Sequence, residues 1–105
     1  MIVKSNNSDH RKFKGVKFEV LATGEKSMVT KMNYNIGDKV PLHSHPNEQS
    51  GYVISGKYLI KIGRVKETLE QGDSYSIPKN VEHSLEVIIE GNIIDVFSPP
   101  RKDYL

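Results

Sequence analysis

From Val16 onward, short runs rich in Val, Ile, Tyr and Leu follow one another, each closed by Gly, Asn, Asp or Pro. This texture predicts strands at 16–22, 27–34, 39–45, 51–55, 57–63, 65–70, 74–77, 83–90 and 92–98. No stretch of about 12 residues carries a helical apolar stripe. Ser55-Gly56 and Gly91-Asn92 suit hairpin turns, while Gly37-Asp38 and Gly72-Asp73 supply further reversals. Many short strands with frequent turns indicate an all-β sandwich or barrel. Residues 4–15 are polar and without periodicity, so 1–15 read as an N-terminal arm that either pairs with a sheet or stays free.

The length of 105 residues bounds the chain to one domain, 1–105, with a modest core. Cysteine is absent, which removes disulfides, thiolate metal sites and a cysteine nucleophile. Fifteen basic and 13 acidic side chains leave a net charge of +2, short of the excess expected of a nucleic-acid binder. The densest basic stretch, Arg11, Lys12, Lys14 and Lys17, reads as a solvated face or a protected edge strand. No apolar run approaches the ~20 residues that span a bilayer, and the start of the chain lacks the apolar core of a signal peptide. The expectation is a soluble cytoplasmic protein with neither nucleic acid nor membrane as partner.

Two of the four histidines stand at i and i+2 in Val40-Pro41-Leu42-His43-Ser44-His45. On a strand, both imidazoles would face one way, about 7 Å apart. The pair alone fits either two ligands of one ion or two polar residues on a solvated face. Around it the spacing runs Gly37, five residues, His43-Ser44-His45, three residues, Gln49, six residues, Gly56. Farther on come Gly72, five residues, Pro78, one residue, Asn80, two residues, His83.

These spacings resemble the two signature motifs of the cupin superfamily. The resemblance implies a double-stranded β-helix, the jelly-roll barrel, with His43, His45, Gln49 and His83 around one divalent metal ion. The family position for Glu or Gln falls on Gln49, and Glu48, one residue out of register, would point elsewhere. Asn80 stands where the family has glycine. Asn tolerates the left-handed region, so a positive φ is expected there. Three imidazoles and an amide leave the ion's charge uncompensated, making it a strong Lewis acid. Zn, Ni, Mn, Fe and Cu all suit these ligands.

The last predicted strand, 92–98, carries an acid, Asp95, on the same face as Phe97, and Pro99-Pro100 then direct Arg101. Asp95 and Arg101 are either a structural ion pair at a barrel end or part of a site for an acidic sugar. The ending from Asp95 to Leu105 and the run from His43 to Val53 resemble the KdgF group of cupins, which help convert unsaturated monouronates from pectin or alginate breakdown to linear keto forms. That resemblance implies catalytic roles for Asp95 and Arg101, and substrate contacts for Phe97 and Arg101. Tyr52 and Tyr75 line the pocket or belong to the core. A small acidic sugar is then the expected partner, and a homodimer the expected assembly. Two other readings stand beside this one: a non-catalytic metal-dependent sensor or binding module, and a metal-dependent oxygenase or isomerase.

Overall fold

Alternating buried and exposed positions set the faces of ten antiparallel strands in a computed structural model that describes all 105 residues. They are β1 (Asp9–Phe13), β2 (Val16–Thr23), β3 (Met28–Tyr34), β4 (Lys39–His43), β5 (Glu48–Val53), β6 (Lys57–Ile62), β7 (Val65–Leu69), β8 (Ser74–Ile77), β9 (His83–Ile89) and β10 (Gly91–Ser98). A larger sheet runs β1-β2-β3-β10-β5-β8 and a smaller one β4-β9-β6-β7. Their inner faces enclose a core built from Val16, Phe18, Met28, Val53, Tyr58 and Ile93 among others, giving a jelly-roll barrel.

The polar arm pairs after all. Asp9–Phe13 lies along β2 in register from Asp9↔Val20 to Phe13↔Val16. The two-residue loop Lys14-Gly15 takes positive φ at both positions, 50° and 84°, the conformation of a tight hairpin turn. Arg11 and Lys12 therefore sit on an exposed edge strand, where charge opposes edge-to-edge pairing.

Two predicted hairpins are corrected. Ser55-Gly56 joins β5 to β6, and the Gly91-Asn92 region joins β9 to β10, but each connection passes from one sheet to the other. The two corners press together: a Cβ on Gly91 would lie 2.2 Å from the Ser55 carbonyl oxygen, and one on Gly56 would lie 2.7 Å from that of Ile89. Glycine is needed there for close backbone approach as much as for turning. The strand predicted at 39–45 also ends early, at His43. Its ladder with β9 is irregular between Val40 and His43, around Pro41, which has no N–H to donate. His45 therefore leaves the sheet, and its ring centroid lies 5.7 Å from that of His43.

Candidate metal centre

His43 closes β4, and His83, the first residue of β9, lies directly opposite it. His45 follows in the loop before β5, and its backbone carbonyl accepts a 2.8 Å hydrogen bond from the Asn80 N–H. Asn80 has φ 65°, the left-handed conformation expected from the sequence, and so couples the second motif to the first. Asn80→Gly should leave thermal stability nearly unchanged. Asn80→Val should cost about 1–3 kcal/mol, because a β-branched residue is strained in that region, and calorimetry would record the difference.

The three imidazoles converge. Their ligand atoms lie within 4.8 Å of one another. Each Nδ1 is engaged by a backbone carbonyl: His43 with Pro41 at 2.8 Å, His45 with Asn47 at 2.9 Å, His83 with Val81 at 2.9 Å. A carbonyl can only accept, so every Nδ1 carries a proton. In a neutral ring Nε2 then keeps its lone pair, which at His45 faces the Gln49 amide oxygen, two electron-pair donors that a shared cation would reconcile. Burial lowers all three pKa values, that of His83 to about 4, which leaves the imidazoles neutral at pH 7. Neutral nitrogens with one fixed tautomer are the donor set a divalent transition metal needs. Tetrahedral ligands about 2.1 Å from a shared ion lie about 3.4 Å apart, so binding would draw the imidazoles together by about an ångström.

Gln49 faces inward on β5, and its Oε1 lies 3.1 Å from His45 Nε2. Its neighbour Glu48 faces outward and is exposed. The same alternation corrects Tyr52, which shares the outer face with Glu48, is 49 % exposed and does not line the cavity. Tyr75 does line it.

Asp95, Gly51 and Tyr75 are consecutive cross-strand partners on β10, β5 and β8. A Cβ on Gly51 would sit 2.2 Å from the Tyr75 ring, so glycine is what lets that ring cross β5. The Tyr75 hydroxyl then donates a 2.6 Å hydrogen bond to Asp95 Oδ1. Gly51→Ala should displace the ring and break this bond. The expected result is a destabilisation of about 1–3 kcal/mol from the strained contact and the lost partner, measured by denaturant titration.

Burial pushes the Asp95 carboxyl up to about 6, although hydrogen bonds from Tyr75 and Gln49 and the positive charge of Arg101 all lower it. Of the two arrangements the sequence left open for Asp95 and Arg101, the structural ion pair is not formed. Arg101 instead binds Asp103 through both arms of the guanidinium, with Nε to Oδ1 at 3.2 Å and Nη2 to Oδ2 at 2.7 Å. Its Nη1 donates to the Tyr104 hydroxyl at 2.9 Å. The guanidinium carbon lies 4.0, 5.1 and 5.3 Å from the ring centroids of Tyr104, Phe13 and Phe97. The two-residue spacing from Arg101 to Asp103 is a visible signal of that pairing. Phe13 and Tyr104 also line the cavity, and neither is a residue the motifs point to.

His43, Gln49, Tyr75, His83, Asp95, Phe97 and Arg101 line one cavity together. Its free interior is about 30 Å³, room for one or two water molecules.

Residues 30–93 match the family described as Cupin domain. The chain is 31 % identical over 93 residues to the pectin degradation protein KdgF of Dickeya dadantii, covering 87 % of this chain and 84 % of that one. Among solved structures, an RmlC-like cupin from Shewanella frigidimarina superposes with a TM-score of 0.92 at 27 % identity, covering 99 % of this chain and 95 % of the other. KdgF from Halomonas superposes with a TM-score of 0.88 at 24 % identity, covering 100 % and 98 %.

Proposed function

The chain belongs to the cupin family, and from that premise we propose that it is a metal-dependent enzyme converting an unsaturated monouronate of pectin breakdown to its linear keto form. The similarity to a pectin degradation protein supports the substrate class. The observation that carries the reading is a buried carboxyl, Asp95, with a pKa of about 6, in the same cavity as His43 and His83, two of the three converging imidazoles.

His43, His45 and His83 would hold the ion, with the Gln49 amide oxygen completing the set. When bound, the ion supplies Lewis-acid attraction for a substrate oxygen. Arg101 pairs with the sugar carboxylate, and the Phe97 ring packs against the sugar. Asp95 takes the proton of the anomeric hydroxyl as the ring C–O bond breaks, and returns a proton to the vinylic carbon. The reaction is then an isomerisation with no net proton change. Tyr75 donates to Asp95 throughout and orients it.

The test is ultraviolet spectroscopy of an unsaturated monouronate with metal-loaded protein. Loss of the absorbance faster than the spontaneous rate is expected. A rate equal to the spontaneous one would refute the enzymatic reading.

A further inference from the structure

We propose that Asp103 is a resident carboxylate that holds the barrel mouth closed on Arg101, and that an acidic ligand enters by taking its place. The identity of that ligand as a sugar acid rests on the function proposed above.

The strand ladder ends at Ser98, and Pro99 and Pro100 have no N–H with which to extend it. Asn47 anchors the chain at this point through a 2.7 Å hydrogen bond from Nδ2 to the Pro99 carbonyl. Beyond it, the backbone hydrogen bonds are internal to the tail, from the Tyr104 N–H to Arg101 and from the Leu105 N–H to Lys102. Residues 101–105 are thus held to the barrel by side chains alone. The Tyr104 ring seals against Phe13, Phe18 and Phe97, with centroids 5.7, 4.3 and 5.5 Å away.

An interior of about 30 Å³ does not admit a sugar ring, since small-molecule pockets measure about 300 Å³ or more. The wall has to move, and the tail is the one lining segment without a strand ladder behind it. Arg101 already presents its two-pronged face to a carboxylate, and the Asp103 side chain is 56 % exposed, so it can swing into water. Exchange with an incoming carboxylate keeps the buried guanidinium paired at both ends of the motion. A neutral sugar cannot make that exchange, which makes Asp103 a specificity-determining residue for acids.

The experiment compares metal-loaded wild type and Asp103→Asn by amide hydrogen exchange and by calorimetry with D-glucuronate, a saturated acid, and with glucose as the neutral control. Faster exchange at Tyr104 and Leu105 in ligand-free Asp103→Asn is expected, because the tail loses its clasp. D-glucuronate should bind about three- to tenfold more tightly to the variant, with no gain for glucose. Unchanged tail exchange, weaker D-glucuronate binding, no D-glucuronate binding by either protein, or an equal gain for glucose would each overturn the proposal. Turnover of the unsaturated uronate by wild type is read separately. Its absence would sink the proposed reaction and leave the result for the tail standing.

Discussion

His83→Ala should abolish stoichiometric metal binding while the barrel persists. His83 is 5 % exposed, sits opposite His43 in the ladder, and has ring neighbours His43 and His45 at 4.3 and 4.8 Å. Its Nδ1 is fixed by Val81, so its Nε2 is available with no change of tautomer. Losing an outer partner of a metal ligand costs about 10–100-fold in affinity, and losing the ligand itself should cost at least about 10²-fold. Elemental analysis after dialysis, with circular dichroism as the control for folding, gives the answer. One full equivalent of metal retained by the variant would mean that the ion sits elsewhere. Gln49→Ala should weaken binding less, because an amide oxygen is the poorer ligand for a borderline metal. Glu48→Ala should have no effect, because its side chain faces solvent.

The histidine cluster was legible because it depends on spacing along the chain. His43, His45, Gln49 and His83 fall in two short motifs; the spacing to Gly56 selects Gln49, and alternation on an extended segment then turns Glu48 the other way. The same alternation places Tyr52 outside, so that error came from reading ring chemistry without applying the period. The clasp at the mouth was less legible. Asp103 lies two residues from Arg101, but Asp95 offered an equally plausible partner, and only the third dimension shows that the Tyr75 hydroxyl binds Asp95 instead. Phe13 was hidden more deeply, because its place at the cavity depends on the Lys14-Gly15 hairpin returning a polar arm to the sheet. A turn with positive φ at a lysine leaves little compositional trace. The sheet-crossing corners show the same limit: glycine signals a reversal in sequence, whereas which sheet receives the next strand is decided by packing across the core.

Asp95→Asn should leave fold and metal content intact and lower turnover of an unsaturated monouronate by about 10²–10⁴, the range for a general acid–base group. The substitution is nearly isosteric. Its amide can still accept from the Tyr75 hydroxyl, so the structural bond at 2.6 Å has a replacement while proton exchange does not. The pH profile separates the two roles. The proposed first step needs Asp95 ionised, so kcat/KM in wild type should fall as pH drops through its pKa. That pKa lies at about 6 from burial, and a bound cation lowers it further. The acid limb is therefore expected at or below pH ~6 and should vanish in the variant, whose remaining activity would be flat until the imidazoles protonate and release the ion. Burial lowers those imidazole pKa values, which keeps the metal-loss limb below the ordinary histidine range. If Asp95→Asn kept wild-type turnover, the buried carboxyl would be a structural acceptor for Tyr75, and proton transfer would have to be assigned to water held in the same cavity.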